Sequence, residues 1–242
     1  MSGTAPAIVR LARTPSTMDV LHELAREGAA AGTAVVAEEQ SAGRGSRGRS
    51  WSAPRGGLWL SVLARPAMAA LELLSLRAGL AVAGLLANRG AGDRVRVKWP
   101  NDLMLDERKV GGILCEARWQ GDMPAWVVVG LGLNVTNPPA AGLEEMAARL
   151  ADVLPSETPD SLVEVVVATL RVVDAAAGPL GSAELARFDR RDWLRGRTLS
   201  APEPGVADGI EVDGALRVRR ADGTIVAVRA GTVTVAGTSA GT

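Results

Sequence analysis

The sequence predicts an α/β (α+β) protein in which a mixed or largely antiparallel sheet, with helices on one side, precedes a small C-terminal β-barrel. Two observations support this fold class. Short β-like runs joined by tight turns occupy residues 95–135, between segments with helical periodicity. After Arg191 the chain changes to very short strands separated by Gly and Pro turns, which is typical of a barrel of about fifty residues.

The helices and strands of the larger part follow one another from Ser16 onwards. Ser16 or Thr17 can cap a helix whose apolar residues share one face, and Gly28 can end it. Strands are predicted at 33–37, 57–65, 95–99, 103–105, 110–119 and 126–135, and further helices at 69–88, 143–154 and 159–177.

The domain organisation is predicted from the change near residues 189–195 from helical segments to short strands separated by turns. We expect a first domain over residues 1–190, a second over 191–237 and a tail over 238–242. Within the second domain, turns are predicted at 202–205, 208–209, 213–214 and 222–223 from their Pro, Gly and Asp content.

Charge and cysteine content limit the class of protein. The 242 residues carry 27 Lys and Arg against 27 Asp and Glu, so a protein devoted to gripping nucleic acid or anionic membrane is not expected. The single cysteine, Cys115, allows no internal disulfide, and we expect it to be a buried apolar residue in a strand. No secretory signal is recognised, and the apolar stretch 78–87 is about half the ~20 residues of a spanning helix, so a cytoplasmic location is expected.

The lysines are rare enough to be informative. Among the 27 cationic residues only Lys98 and Lys109 are lysines. The compact ammonium of Lys and the planar fork of Arg are not interchangeable against a reacting carboxylate or phosphate. Both lysines are therefore candidate site residues. The alternative is that two of the 27 cationic residues are lysines by chance and have no special role.

A Gly-rich and Arg-rich segment is the clearest local sign of anion binding. Residues 37–52 read A-E-E-Q-S-A-G-R-G-S-R-G-R-S-W-S, where glycines let backbone N–H groups approach an anion and arginines supply paired donors. The segment has neither the Gly-Lys-Ser/Thr of a Walker loop nor the setting of a Rossmann fingerprint. Taken alone, it could also be a solvated basic loop.

This segment belongs to an ordered series of motifs. S-T-M at 16–18 and E-Q-S-A-G-R-G at 39–45 precede V-K-W-P-N-D-L at 97–103, R-K-V-G-G-I-L-C-E at 108–116 and V-V-V-G-L-G-L-N-V at 127–135. The series resembles the catalytic domain of biotin protein ligases, the biotin–[acetyl-CoA-carboxylase] ligases of the BirA type, here without the N-terminal DNA-binding domain. The likeness extends over nearly the whole chain, including the terminal barrel.

The resemblance implies a fold, a reaction and partners. The fold would be a mixed sheet like that of class II aminoacyl-tRNA synthetases, followed by an SH3-like barrel. Biotin's carboxylate would attack the α-phosphate of ATP with Mg²⁺ to give biotinyl-5′-AMP and pyrophosphate, and a lysine of a biotin carboxyl carrier domain would then take the biotin. No prosthetic group, direct nucleic-acid binding or membrane binding is expected, and the resemblance leaves monomer and homodimer open.

The resemblance also implies roles for individual residues. Catalysis would fall to Lys109, Arg44 and Lys98, and Asp102 would either bind metal indirectly or orient Lys98. Biotin would be bound by Ser16, Thr17, Gln40, Gly43, Arg44, Gly45, Lys109, Gly112, Leu114, Gly130 and Gly132, and ATP by Arg44, Arg47, Arg49, Trp51, Lys109 and Asn134. Trp51 would stack on adenine, and the glycines at 130 and 132 would leave room for ligand.

Two positions depart from the family pattern. Met18 follows Ser16 and Thr17 at the position where the usual S-T-N motif has Asn, so a side-chain amide near the biotin site is missing. Ser46 stands where the G-R-G-R form of the loop has a second Arg against the adenylate, and Arg47 could replace it if the loop shifts. His22, in the middle of the first helix, is interpreted as a surface residue.

Two other functions compete with this interpretation. A biotin-sensing regulator would need about fifty more residues before Ser16 for a winged helix, so it is expected to act only through a partner. A lipoate or octanoate ligase of the same fold would have no ureido ring for Gln40 and the Ser16-Thr17 pair to bind. We expect pyrophosphate release with each acid to separate the ligases.

Overall fold

Two β-sheets organise the chain in the computed structural model, which describes residues 5–65, 71–173 and 178–237. In the seven-stranded sheet the order is β1-β2-β3-β7-β6-β5-β4, with β1 and β2 parallel and the other neighbours antiparallel. Its strands are β1 (Ile8–Thr14), β2 (Ala34–Gln40), β3 (Gly57–Ala64), β4 (Val95–Lys98), β5 (Asp102–Leu105), β6 (Arg108–Gln120) and β7 (Met123–Asn134). The predicted mixed sheet is therefore confirmed.

Four α-helices accompany the sheets within the described residues. They are α1 (Thr17–Arg26), α2 (Leu71–Leu86), α3 (Pro159–Arg171) and α4 (Ser182–Arg191). Ser16 caps α1 by accepting a hydrogen bond from the Met18 backbone N–H at 3.3 Å, as its sequence position predicted. No helix among the described residues is long and apolar enough to cross a membrane.

The helices lie on both faces of the large sheet, so the prediction of helices on one side is wrong. Ala34 and Val36 of β2 belong to the main core, which includes apolar residues of α2 and α3, whereas Val35 packs with Leu21 of α1. Neighbouring strand residues point to opposite faces. Both faces of the central strands are apolar and need cover, and α1 supplies it on the second face.

Local periodicity also misidentified several segments. Residues 143–154 form turns and a short 3₁₀ helix, Leu150–Asp152, instead of the predicted helix. The reason is pairing with β6: the backbone N–H of Lys109 donates to the Met146 carbonyl, and that of Ala148 donates to the Lys109 carbonyl, both at 2.8 Å. β1 and α4 were not predicted, and residues 69–70 and 174–177 of two predicted helices lie outside the described residues.

The second sheet has five strands in the order β11-β10-β9-β8-β12. They are β8 (Thr198–Ala201), β9 (Gly205–Ile210), β10 (Leu216–Arg219), β11 (Ile225–Val228) and β12 (Thr234–Val235). Short strands joined by turns were predicted here, and the turns at 202–205, 213–214 and 222–223 connect successive strands. Asp208-Gly209 is not a turn but lies within β9, where Gly209 adopts a φ of 85°.

A buried carboxyl stands where α4 ends. Asp192 is 6% exposed; its Oδ1 accepts a hydrogen bond from the Leu194 backbone N–H at 2.8 Å, and its Oδ2 has no hydrogen-bond partner among the residues that the structure describes. Burial raises the pKa of Asp192 to about 6, from an ordinary value of 3.8. Because folding favours the protonated form, Asp192 costs stability progressively as the pH rises from 3.8 to 6.

We expect Asp192→Asn to raise the free energy of unfolding by about 2 kcal/mol at pH 7.5. The two-unit pKa difference corresponds to about 3 kcal/mol, and an unpaired amide N–H offsets about 1 kcal/mol of it. Denaturant unfolding measures the effect, with the exposed Asp122→Asn, in the turn between β6 and β7, as control. The gain should fall close to zero at pH 4.5; an equal gain at both pH values would contradict the assignment.

Candidate functional site

A cavity of about 290 Å³ lies on the α1 face of the large sheet. Ser61 of β3, Gly130 and Gly132 of β7, and Gly112 and Leu114 of β6 form its floor. Its walls come from the start of α1, the loop after β2 and residues 138–147. Of the residues predicted for the site, the cavity is lined by Ser16, Thr17, Gln40, Arg44, Gly45, Arg49, Trp51, Asp102, Lys109, Gly112, Leu114, Gly130, Gly132 and Asn134.

Three of the lining residues, Thr17, Gln40 and Ser61, form a small hydrogen-bonded cluster. The Gln40 Oε1 accepts bonds from the Thr17 backbone N–H at 2.8 Å and from the Thr17 hydroxyl at 3.0 Å. The Thr17 and Ser61 hydroxyl oxygens are 2.8 Å apart. Because both Thr17 donors reach Gln40 Oε1, the amide N–H groups of Gln40 remain available to a ligand carbonyl or ring. Ser61 was missed, although it is the lone polar residue in an apolar strand.

Close packing explains three of the predicted glycines. A Cβ on Gly43 would stand 2.5 Å from the Trp51 carbonyl oxygen, and one on Gly132 would stand 2.9 Å from the Trp51 ring. A Cβ on Gly130 would meet the Met18 sulfur at 3.0 Å. The expectation that Gly130 and Gly132 leave room for ligand is thus incomplete, because protein atoms already occupy the space beside them.

Lys109 projects its ammonium into the cavity. Its Nζ is 2.6 Å from Asp102 Oδ1 and 5.1 Å from the centroid of the Trp51 ring. β5 and β6 pair antiparallel here, and a register shift between Leu103 and Met104 places Lys109 beside Met104. Asp102 therefore orients Lys109 directly, which the sequence had not indicated.

Lys98 is a neighbour of the Lys109–Asp102 ion pair but does not line the cavity. Its Nζ is 5.3 Å from the centroid of the Trp193 ring, and Lys98 faces Asp102 across the β4–β5 pair. Burial lowers the pKa of Lys98, and the nearby Lys109 and Arg49 lower it further. Lys98 thus adds positive potential near Asp102 without reaching into the cavity.

Arg44 is held by carboxylates from two elements. Its Nε and Nη2 donate to the two oxygens of Glu116 in β6 at 3.0 and 3.2 Å, and its Nη1 donates to Asp19 Oδ2 in α1 at 3.0 Å. The hydrogen bond to Asp19, together with Glu116, raises the pKa of Arg44. Glu116 closes the R-K-V-G-G-I-L-C-E motif, but its pairing with Arg44 could not be identified from spacing.

The other two arginines of the loop have different surroundings. Arg49 lines the cavity and donates from Nη2 to the Ser46 hydroxyl at 3.2 Å. Arg47, in a left-handed conformation with φ of 60°, instead donates to the Thr232 hydroxyl beyond β11. Arg47 does not line the cavity, so its predicted replacement of the missing Arg at position 46 has no support in this arrangement.

Trp51 and Asn134 line the part of the cavity near Lys109. The Trp51 ring lies over Gly132, and its indole N–H is buried with no hydrogen-bond partner in the described part of the chain. Asn134 donates to the Ala148 carbonyl at 3.2 Å and accepts from the Asn137 amide at 3.1 Å. Asn134 thereby holds the segment that carries the cavity-lining residues Leu143 and Met146, which sequence analysis had missed as site residues.

Two predictions about reactive side chains have opposite outcomes. Burial raises the pKa of the Cys115 thiol to about 12, which agrees with an inert residue packed against the core, although Cys115 is partly and not fully buried. The interpretation of His22 as a surface residue is wrong, because its side chain is 3% exposed and hydrogen-bonded to Glu116 and Trp126. α1 packs onto the sheet along the face that carries His22, which a helix pattern alone did not indicate.

Comparison with known proteins places this geometry in context. Residues 11–134 match the family described as the Biotin/lipoate A/B protein ligase family. A biotin–[acetyl-CoA-carboxylase] ligase of Paracoccus denitrificans is 35% identical over 224 residues, which cover 86% of this chain and 92% of that protein.

Solved structures resemble the whole described fold. The biotin protein ligase of Aquifex aeolicus in complex with biotin and ATP superposes with a TM-score of 0.79 at 24% identity, covering 95% of this chain and 98% of that one. The Leishmania major biotin protein ligase in complex with biotinyl-5-AMP gives a TM-score of 0.66 at 27% identity, covering 93% and 99%.

Proposed function

The chain belongs to the biotin/lipoate A/B protein ligase family, and from this we propose that it is a biotin–protein ligase that makes biotinyl-5′-AMP from biotin and ATP. One observation carries the proposal. One cavity brings together the uncharged Thr17–Gln40–Ser61 cluster and the cations Lys109, Arg44 and Arg49. This combination of neutral hydrogen-bonding groups and cations suits a molecule that carries both a cyclic urea and a carboxylate.

The chain's own residues suggest how the first step is assisted. Gln40 and Ser61 would bind the ureido ring, while Leu114 and the glycine floor accept the apolar body of biotin. Lys109, steadied by Asp102 at 2.6 Å, would stand between the carboxylate and the α-phosphate. Its ammonium then opposes the negative charge that develops as the carboxylate attacks phosphorus and pyrophosphate leaves.

A magnesium ion fits this site only as a partner of ATP. Within the described residues no group of three or more His, Cys, Asp or Glu side chains could hold a metal, and Asp102 is the carboxylate that lines the cavity. Mg²⁺ is commonly held by one or two carboxylates together with substrate phosphates. Asp102, which already holds the Lys109 ammonium, would contact the ion only indirectly, and the ion would neutralise phosphate charge.

Several expectations remain part of the proposal. The acceptor would be a lysine on a biotin carboxyl carrier domain, and Arg44, Arg49, Trp51 and Asn134 would contact the nucleotide. The five-stranded sheet would correspond to an SH3-like domain over 191–237, after a class II synthetase-like domain over 1–190; residues 238–242 lie outside the described residues. The cytoplasmic location stays a prediction. The proposal allows either a monomer or a homodimer.

Mass spectrometry tests the function most directly. After incubation with biotin and MgATP, the native protein should carry biotinyl-AMP, and pyrophosphate release should depend on biotin. Lipoate and octanoate serve as matched acids, because neither has a ureido ring to engage Gln40. Release with lipoate or octanoate but not with biotin would reject biotin as the substrate.

We expect the loop at 43–49 to become more ordered when biotin and ATP are added. Its glycines and arginines are costly to hold in one conformation without an anion. Hydrogen exchange of its backbone amides should slow, whereas exchange in β3, which is already paired on both sides, should stay constant. Unchanged exchange across the loop would contradict this role.

A further inference from the structure

A chain of partly buried hydrogen bonds runs beside the cavity on the α1 face of the sheet. His22 of α1 is 3.2 Å from Glu116 Oε2 through its Nε2, and its Nδ1 is 3.0 Å from the indole nitrogen of Trp126 in β7. Glu116 in turn holds Arg44, whose guanidinium reaches the cavity. Four elements of the fold, α1, β6, β7 and the loop after β2, meet in this chain of contacts.

The donor and acceptor roles in this chain are determined by chemistry. An indole N–H can only donate, so Nδ1 of His22 must accept from Trp126. Nε2 therefore carries the single proton of a neutral imidazole, and this N–H donates a hydrogen bond to the Glu116 carboxylate. Burial lowers the pKa of His22 from its ordinary value of 6.5, and the nearby Arg118 lowers it further, which favours the same neutral form.

A neutral donor at this place has a specific consequence for Arg44. It fixes one carboxylate oxygen of Glu116 without neutralising the negative charge. A cation in its place would compete with Arg44 for Glu116. With Glu116 fixed, the guanidinium plane is set by two bonds to Glu116 and one to Asp19, which leaves two of its five N–H groups for a ligand.

We propose that His22 is a positioning residue, which orients Arg44 in the cavity by holding Glu116 Oε2, the oxygen that also accepts from Arg44 Nη2. The inference rests on the proposed function, because Arg44 is taken to bind the anionic part of biotinyl-AMP. His22 itself touches no reacting atom: it lies outside the cavity lining and acts through Glu116.

The proposal predicts a dependence on pH that a purely structural role would not give. The charged groups near His22 include Glu116 and Arg118 of β6 and Arg44, with Asp19 of α1 paired to Arg44; the Arg65 guanidinium lies 5.9 Å from the centroid of the Trp126 ring. Protonation would put a hydrogen on Nδ1 facing the indole N–H and would make His22 compete with Arg44. Adenylate formation should therefore weaken as the pH falls below the pKa of His22.

Three variants test the link to Arg44 by steady-state pyrophosphate release. His22→Leu removes both hydrogen bonds and should lower kcat/KM about tenfold, the factor that corresponds to ~1.4 kcal/mol. His22→Gln keeps one acceptor and one donor, so it should recover most of this loss and also abolish the His22-dependent acid limb. In a Glu116→Gln background His22→Leu should have little further effect, since the two residues act through one contact.

A matched control separates positioning from loss of stability. Leu21→Ala removes a buried side chain from the same helix, in the apolar cluster with Ala25, without removing a member of the chain of hydrogen bonds. It should lower stability while leaving kcat/KM and its acid limb unchanged. An equal loss of kcat/KM in Leu21→Ala, or full additivity of His22→Leu with Glu116→Gln, would overturn the proposal.

A spectroscopic measurement keeps this inference distinct from the proposed function. His22 is the single histidine of the chain, so its imidazole nitrogens give one set of NMR signals. In the wild type at pH 7.5 their shifts should report the neutral form with the proton on Nε2, and Trp126→Phe should weaken that preference. A proton on Nδ1, or a charged ring, would overturn the proposal even in an active enzyme, whereas wild-type protein that makes no biotinyl-AMP would refute the function alone.

Discussion

Lys109→Arg is expected to slow biotinyl-AMP formation almost as much as Lys109→Ala, each by about 10²–10³-fold. The Lys109 ammonium occupies a point 2.6 Å from Asp102 Oδ1 and 5.1 Å from the Trp51 ring centroid. A planar guanidinium is larger and offers its donors along a fork, so it cannot place one charge at that point. Pyrophosphate release in single-turnover experiments measures the effect.

The neighbouring residue provides the control for this exchange. Arg108 lies next to Lys109 at the start of β6, but it is half-exposed and pairs with Asp152. Arg108→Lys should therefore leave the rate of adenylate formation within about twofold of wild type, as expected of an exposed ion pair. If Lys109→Arg kept the wild-type rate, adenylate formation would not depend on a lysine ammonium at this position.

Ser46→Arg is expected to slow the escape of biotinyl-AMP by about 10- to 150-fold. A hydrogen bond to a charged group contributes roughly 1.5–3 kcal/mol, and every ~1.4 kcal/mol is about tenfold in affinity. Ser46 lines the cavity, so an arginine side chain at this position would extend from the cavity wall toward the ligand. Decay of the enzyme-bound adenylate, together with biotin appearing on bystander lysines, measures escape.

Two arginines of the same loop provide the comparison. Arg49 lines the cavity and donates to the Ser46 hydroxyl, so Arg49→Ala should speed escape. Arg47 is turned toward Thr232, so Arg47→Ala should leave escape unchanged. If neither Ser46→Arg nor Arg49→Ala alters escape, retention of the adenylate depends on other residues, and a change in Arg47→Ala would show that the loop rearranges around the ligand.

The order of motifs predicted which residues would surround one cavity, but not how they are connected. Ser16, Gln40, Lys109 and Gly130 come from distant parts of the chain and do meet. Their positions in strands or next to a cap follow from local patterns, since a strand places alternate residues on one face. The pairing of Arg44 with Glu116 joins residues far apart in the chain, and no local periodicity indicates such a pair.

Other differences between prediction and structure have the same origin. Residues 143–154 have a helical apolar pattern, yet the backbone of Ala148 and Met146 pairs with Lys109. His22 looks like an exposed polar position on an amphipathic helix, yet Glu116 and Trp126 bury it. In both cases a partner from another element outweighs local propensity, which contributes only tenths of a kcal/mol per residue.

By itself, the sequence determined the family resemblance, the mixed sheet followed by short strands, Ser16 or Thr17 as the cap of α1 and about half of the residues that line the cavity. These properties depend on residue type and spacing along one segment. The tertiary structure alone decided that helices cover both faces of the sheet, that Arg49 and not Arg47 reaches the cavity, and that His22 is buried against Glu116. Such properties depend on which surfaces come together when apolar faces are buried, and that is a property of the whole fold.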